Sequence, residues 1–134
     1  MHLYPVDRDA FVAALSAAKV GTGPPDGCVA GLVAVRVPRE NARYLLAALA
    51  DSLGMAAYDR LRTRPRPDLE VPPSDVVTFC VTPDLRARLA APFSAAVAVG
   101  DREGGLEIDM DNETSRRLLA TAALALDAEI RPAP

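Results

Sequence analysis

The sequence contains very little histidine, the residue on which many enzymes rely for proton transfer. Its 134 residues include one histidine, His2, and no tryptophan. Because neutral-pH proton transfer and zinc binding both favour histidine, a single copy at this position excludes Ser-His-Asp triads, histidine-rich zinc sites and histidine relays. Aromatic residues make up only 4% of the chain, so we expect a light core of Leu, Val and Ala.

Long apolar runs are also missing. No stretch approaches the roughly 18 residues of a membrane-spanning helix. The first residues, MHLYPVD, lack the basic region and apolar core of a signal peptide. We therefore expect a soluble, cytoplasmic protein without a membrane partner.

Cysteine is rare, and the two cysteines, Cys28 and Cys80, are far apart with no CxxC motif. In the expected cytoplasmic setting, such a pair is most often two reduced, partly buried thiols. The apolar neighbours of Cys80 predict core packing, whereas Cys28 follows a glycine and is expected to be more exposed. No group that would activate either thiol is evident.

The charge balance is mildly acidic, with 15 Lys+Arg against 18 Asp+Glu and a net charge of −3. Binding to nucleic acid depends on neutralising phosphates, so this balance argues against a nucleic-acid partner. At this length we expect a single domain, residues 1–134, that buries a core without covalent staples.

The first half of the chain predicts helix, strand and helix. Asp7 is expected to cap a first helix, with Val6 packing on Phe11 as a hydrophobic staple. After the glycine-rich loop that follows, the nearly continuous apolar stretch 28–37 predicts a central strand covered on both faces. Helical spacing of Leu and Ala then predicts a second helix over 39–60.

The next part of the chain predicts strand, helix and strand. The stretch 76–82 is rich in β-branched residues and predicts a strand. Pro83 suits the first position of a short helix that Thr82 caps and that ends at about Ala91. A third strand is expected over 93–99.

The end of the chain predicts a hairpin and a long helix. Residues 100–105 are expected to turn, and 106–110 to return as a strand. Asp111 or Asn112 is expected to cap a final helix over 113–130.

These elements favour an α+β fold. We expect a two-layer sandwich in which three to four helices cover a mixed, mostly antiparallel sheet of four to five strands. A three-layer α/β arrangement is the alternative, because 28–37 reads as buried on both faces.

The loop 60–75 holds four prolines and a ladder of arginines at every second position. If the segment is extended, these side chains point the same way and could grip phosphates or an acidic partner. A solvated connector is the other interpretation. The candidate ligand- or partner-binding residues are Arg60, Arg62, Arg64 and Arg66.

Two further charged groups are candidate sites. Glu107, Asp109 and Asp111 alternate with apolar residues, so one strand face could present three carboxylates to Mg²⁺ or Ca²⁺. A solvated edge strand explains the same pattern. Where the second helix begins, Arg36, Arg39 and Arg43 could form an anion-binding corner, although an ordinary strand-end charge also explains Arg36.

The last helix carries a wide apolar stripe, and surplus apolar surface often marks a subunit interface. The stripe comprises Leu118, Leu119, Ala122, Ala123, Ala125, Leu126 and Ile130.

The sequence shows no nucleophile–base pair and no cofactor fingerprint, so no cofactor is expected. The leading hypothesis is therefore a non-catalytic, partner-binding accessory module that forms a homodimer. The alternative is a small-molecule-binding protein or enzyme that applies carboxylates, with or without a divalent metal, and arginine to an anionic ligand.

Overall fold

The computed structural model describes residues 1–20, 28–59, 76–98 and 104–133. Within these ranges the chain forms four helices, α1 Pro5–Ala17, α2 Arg39–Ser52, α3 Pro83–Ser94 and α4 Asn112–Leu126. It also forms eight strands, β1 His2–Leu3, β2 Lys19–Val20, β3 Val33–Pro38, β4 Met55–Asp59, β5 Val76–Val81, β6 Val97–Ala98, β7 Leu106–Glu107 and β8 Ala128–Pro132. None of the helices described is both long enough and apolar enough to span a bilayer.

The strands form three antiparallel sheets, with the orders β1-β7-β6, β2-β3-β5 and β4-β8. In the longest pair, Val35 lies opposite Phe79. The predicted α+β class is confirmed. The described strands divide among three small sheets, whereas the prediction placed four to five strands in one.

The strand predicted over 28–37 is shorter and is covered on one face. The valines of β3 are buried, while Arg36 between them is exposed. This alternation is typical of a strand with one face on the core. The three-layer alternative assumed that this strand is buried on both faces, and β3 is buried on one face only.

The three phenylalanines lie at the centre of the core. The ring centroid of Phe11 is 4.6 Å from that of Phe93 and 6.0 Å from that of Phe79.

The prediction that the third helix ends at about Ala91 is wrong, because α3 continues through Pro92. Proline cannot donate the helical hydrogen bond at that position. The fully buried ring of Phe93 offsets that loss, since burying an aromatic side chain is strongly favourable.

The first helix begins at Pro5, two residues before the predicted cap. Proline suits this position because its missing N–H would have no helical acceptor there. Asp7 is buried in the first turn and accepts a hydrogen bond of 2.8 Å from Asn41 Nδ2. Val6 is 67% exposed, so the predicted staple with Phe11 is wrong.

The second helix stops eight residues before the predicted boundary at 60, ending at Ser52. Gly54 has φ +69°, a left-handed conformation that ends helices and favours glycine. The residues that follow form β4 and pair with β8, where Ala57 lies opposite Ile130.

The last helix also ends earlier than predicted, at Leu126, because Asp127 turns the chain with φ +50°. Ile130 therefore lies in β8 and not on the helix. Most of the predicted apolar stripe is buried against the rest of the chain, in the residues Leu118, Leu119, Ala122, Ala123 and Leu126. The inference of surplus apolar surface from this stripe is wrong, because α2, α3, β5 and β8 cover it.

Several local predictions are confirmed. β5 lies where a strand was expected, and Thr82 caps α3 by accepting a hydrogen bond of 3.1 Å from the backbone N–H of Leu85. Asp111 caps α4 by accepting from the backbone N–H of Thr114 at 3.0 Å. β7, which lies in the stretch predicted as a strand over 106–110, pairs antiparallel with β6, as expected for a hairpin. Both strands are shorter than predicted.

The two cysteines form a disulfide, so the expectation of two reduced thiols is wrong. β5 carries Cys80, and its partner strand β3 is preceded by a turn with φ +94° at Gly31. This turn brings Cys28 back toward β5, with the two Cα atoms 5.5 Å apart. Cys28 is buried, contrary to the prediction that it is the more exposed of the two.

Candidate functional site

A cleft with a volume of about 870 Å³ lies beside the first two turns of α2. It opens between this helix, the β4-β8 sheet and the end of α4. Its lining residues are Pro38, Arg39, Glu40, Asn41, Arg43, Tyr44, Leu46, Ala47, Ala57, Tyr58, Leu126 and Ala128.

Two of the three tyrosines line this cleft. Tyr44 is 54% exposed and Tyr58 is 46% exposed, whereas the three phenylalanines are almost fully buried. Tyr44 directly precedes Leu45 and Leu46, which face the core, so helical periodicity turns its ring outward. Tyr58 enters the cleft because β4 is a strand there and not the predicted helix.

Part of the predicted arginine corner is present in the cleft. Arg39 and Arg43 are one turn apart on α2, and both are half-buried. Each already interacts with another group of the chain. Arg36 lies on the exposed face of β3 and does not line the cleft. The structure therefore brings two of the three predicted arginines together, beside the two tyrosines.

Arg131 is not a lining residue, but it contacts the ring of Tyr58 in the wall of the cleft. The guanidinium of Arg131 lies 5.4 Å from the ring centroid of Tyr58, a cation–π contact. It also donates two hydrogen bonds to the carboxylate of Glu129, at 2.9 and 3.0 Å. These bonds raise the pKa of Arg131, with the Glu129 hydrogen bond as the largest cause. The ring of Tyr58 is thus held by a permanently charged neighbour.

Tyrosines and arginines set the chemical character of the lining. Phenol and guanidinium groups supply flat contact surface and hydrogen-bond donors, which are the groups enriched where proteins bind partners. Among the described residues of the lining, Glu40 is the one carboxylate, and it is exposed. These described residues include no nucleophile paired with a base.

Two of the three candidate metal-binding carboxylates have structural roles of their own. Glu107 Oε1 accepts a hydrogen bond of 3.0 Å from the N-terminal amine of Met1. The oxygens of Asp111 accept from the backbone N–H and the hydroxyl of Thr114, which lowers the pKa of Asp111. Asp109 is exposed between them. Within the described ranges no group of three or more His, Cys, Asp or Glu could hold a metal ion, so the predicted metal site gains no support.

The arginine ladder Arg60, Arg62, Arg64 and Arg66 lies outside the described residues, as does the rest of the loop 60–75. The binding role predicted for it stays a prediction.

A second, smaller groove lies between α4 and the β4-β8 sheet. It has a volume of about 540 Å³ and is mostly apolar, with Arg116 as its charged residue. Its lining residues are Leu53, Gly54, Met55, Arg116, Leu119, Ala120, Ile130 and Pro132. Leu124, one helical turn beyond Ala120, is 85% exposed.

A polar network on the α3-α4 side ties helices together. Arg117 donates to Asp84 Oδ2 at 3.1 Å and to Thr82 Oγ1 at 3.0 Å. Arg88 Nε lies 3.3 Å from the same carboxylate. The hydrogen bond from Arg117, followed by the charge of Arg88, lowers the pKa of Asp84. All these groups already have partners, so we interpret the network as structural.

The sequence alone pointed to the arginines of the cleft but missed its tyrosines. Tyr44 carried a usable signal, since it interrupts the apolar spacing of α2 with an exposed aromatic ring. Tyr58 carried none, because its position depends on pairing with Glu129 in a strand that lies far along the chain.

Comparison with known proteins finds no matching family model, no matching curated protein and no matching solved structure.

Proposed function

We propose that this chain is a non-catalytic binding module that recognises a protein partner through the cleft beside α2. The observation that carries the proposal is the joint placement of two exposed tyrosines, Tyr44 and Tyr58, and two arginines, Arg39 and Arg43, in one concavity. Tyr and Arg are the residues that most often dominate the binding energy of protein interfaces. Tyrosine also loses little conformational entropy on binding.

The openness of the cleft favours a protein segment over a small molecule. Pockets for small ligands bury most of the ligand's surface, whereas Pro38, Glu40, Ala47 and both tyrosines of this lining are exposed. The alternative of an anionic small molecule held by carboxylates and arginine is less supported. Its candidate carboxylates Glu107, Asp109 and Asp111 do not line the cleft.

Selection from a random-peptide display library on the intact, oxidised chain tests the proposal. Binding of the strongest selected peptide is then compared in wild type, Tyr44→Ser/Tyr58→Ser and Tyr4→Ser. Tyr4 is the matched control because it is also 54% exposed and does not line the cleft. Loss of two hot-spot tyrosines should weaken binding by about tenfold or more. Equal weakening by Tyr4→Ser, or no loss in the double variant, would contradict the proposal.

We also propose that a second copy of the chain associates at the apolar groove between α4 and β8. Most of the α4 stripe is buried, so the remaining apolar surface on this side is the groove, which includes Ala120 and Ile130, together with the exposed Leu124. Light scattering should give a dimer for wild type and a monomer for Ala120→Glu, because an unpaired charge in an apolar contact is costly. Val29→Glu is the control, since Val29 is 73% exposed elsewhere. A monomeric wild type would contradict dimerisation.

The cytoplasmic location expected from the sequence remains a prediction, and the disulfide weighs against it. Disulfides persist in oxidising compartments and are rare in the cytosol. Trapping thiols with a mass-shifting reagent in freshly lysed host cells tests the point. A bonded Cys28–Cys80 pair would favour an oxidising compartment, and two labelled thiols would favour the cytoplasm.

A further inference from the structure

We propose that the chain consists of two copies of one βαββαβ unit related by a pseudo-twofold axis, and that the cleft beside α2 and the groove beside α4 are two versions of one binding site. Tyr44 and Tyr58 are then the residues that give the cleft its own specificity. This role of the tyrosines rests on the proposed function, whereas the internal duplication does not.

The order of the elements repeats once along the chain. The first half runs β1-α1-β2-β3-α2-β4 and the second half runs β5-α3-β6-β7-α4-β8. Exchanging the halves turns the sheet β5-β3-β2 into the sheet β1-β7-β6, so each half contributes its first strand to the sheet of the other. β4 and β8 each follow a left-handed residue, Gly54 and Asp127, and they pair about Ala57 opposite Ile130. A twofold axis between equal subunits produces this reciprocal pairing.

The sequences of the equivalent helices agree once they are aligned on this axis. From Pro5 at the start of α1 and from Pro83 at the start of α3, both sequences read P-x-x-R-x-x-x-x-A-x-x-S-A-A. From Glu40 in α2 and from Glu113 in α4, both read E-x-x-R-x-L-L-A. The connections between the second and third strands differ in length, 21–32 in one half and 99–105 in the other. The repeat therefore has no single period along the chain.

Side-chain contacts between α1 and α3 follow the same axis. Arg8 and Arg86 hold equivalent positions, as do Leu15 and Phe93. Arg8 Nη1 donates to the carbonyl of Phe93 at 3.2 Å, and Arg86 Nη2 donates to the carbonyl of Leu15 at 2.9 Å. Exchanging the halves turns one of these bonds into the other, which is the contact pattern of an isologous interface.

The same exchange places the groove beside α4 where the cleft beside α2 lies. Most of the described residues that line the groove have their equivalents in the described lining of the cleft. On the helices these equivalent pairs are Arg43 with Arg116, Leu46 with Leu119 and Ala47 with Ala120. Leu46 and Leu119 are each 5% exposed. The two concavities therefore share the positions that shape them.

The concavities differ at the positions of the two tyrosines. The equivalent of Tyr44 is Arg117, which is hydrogen-bonded to the start of α3. The equivalent of Tyr58 is Arg131, which is hydrogen-bonded to Glu129. Neither arginine belongs to the described lining of the groove. The tyrosines thus give the cleft large, flat rings with a polar tip, which the groove lacks at the same places.

Moving the tyrosines from the cleft to the groove tests this inference. The strongest peptide selected on the wild type is measured on Tyr44→Ser/Tyr58→Ser and on the same variant with Arg117→Tyr/Arg131→Tyr added. We expect the first variant to lose binding and the second to recover it to within about tenfold of wild type, because tyrosine anchors dominate binding energy.

The site of the recovered binding is read by NMR on the ¹⁵N-labelled variant. Chemical-shift changes should move to residues 53–55, 116–120 and 130–132, which include the lining of the groove. Arg88→Tyr, added to Tyr44→Ser/Tyr58→Ser, is the matched control, since Arg88 is a helical arginine outside the groove whose side chain is 46% exposed. This control should not recover binding.

Thermal unfolding identifies any variant that is not folded, and Arg117→Tyr alone in the same background should recover part of the affinity if the larger change unfolds the chain. A folded variant without recovery, or equal recovery in the Arg88→Tyr control, would overturn the equivalence of the two concavities and leave the binding module standing.

The duplication has a test that does not depend on any peptide. Arg8→Gln and Arg86→Gln should lower the thermal midpoint by similar amounts, because each removes the same bond of the twofold pair. A loss in only one of these variants would overturn the pseudo-twofold relation. If the wild type yields no tyrosine-dependent peptide, the proposed function and the role of the tyrosines both fail, and this comparison still decides the duplication.

Discussion

Two arginine side chains join the antiparallel helices α1 and α3 at both ends. Arg8 Nη1 donates to the carbonyl of Phe93 at 3.2 Å, and Arg86 Nη2 donates to the carbonyl of Leu15 at 2.9 Å. Each acceptor lies in the last turns of a helix, where the dipole is negative. The carbonyl of Leu15 also accepts the backbone N–H of Ala18. Each arginine therefore caps the other helix, around the buried contact between Phe11 and Phe93.

Replacing one of these arginines should cost much more stability than replacing its exposed neighbour. Arg86→Ala removes a partly buried, charge-assisted hydrogen bond and should lower the free energy of unfolding by about 2 kcal/mol. Arg88→Ala removes only exposed ion pairs, with Asp84 and Glu113, and should cost about 0.5 kcal/mol or less. Urea unfolding of the two variants measures the difference, and equal losses would contradict the capping role of Arg86.

At the scale of elements, local sequence signals predicted where helices begin better than where they end. Thr82 and Asp111 cap their helices as expected, because a side-chain cap acts through residues three positions away. Helix α2 ends at Ser52 although the Leu and Ala spacing continues to Ala57. Pairing with β8 competes with the helix there, and that partner strand lies far along the chain. Periodicity cannot report such a distant competitor.

Replacing Gly54 with alanine distinguishes the observed turn from the predicted helix, because the two structures predict stability changes of opposite sign. Inside a helix, Gly→Ala would stabilise by about 0.5–1 kcal/mol. At the observed φ of +69°, Ala is strained and should destabilise by about 1–2 kcal/mol. Gly54→Asn is the control, since asparagine tolerates this conformation and should cost less. Chemical denaturation of the three proteins gives the sign, and a stabilising Gly54→Ala would contradict the turn.

For the whole molecule, one core of aliphatic and phenylalanine side chains unites three small sheets that would each be marginal alone. The α+β class followed from the order of elements, but the division into sheets, the disulfide and the cleft did not. Each of these depends on residues far apart in sequence, such as Cys28 with Cys80 or Tyr44 with Tyr58. A single sequence contains local propensities, and it does not contain those pairings.

The disulfide should contribute strongly to the stability of the whole chain. It closes a loop of 52 residues, and in the chain-entropy model a loop of that length stabilises by about 4 kcal/mol. A reducing agent should lower the denaturant midpoint of wild type to that of Cys28→Ser/Cys80→Ser and leave the variant unchanged. A wild-type midpoint that does not respond to reduction of the bond would contradict this contribution.

The central claim, that the cleft beside α2 is the binding surface, is tested most directly by mapping a selected peptide on the ¹⁵N-labelled chain by NMR. We predict that the largest chemical-shift changes fall in residues 38–47, 57–58 and 126–128, which line the cleft. Tyr44→Ser/Tyr58→Ser should abolish them. Changes centred instead on the apolar groove around Leu53 and Ile130, or scattered over the surface, would contradict the claim.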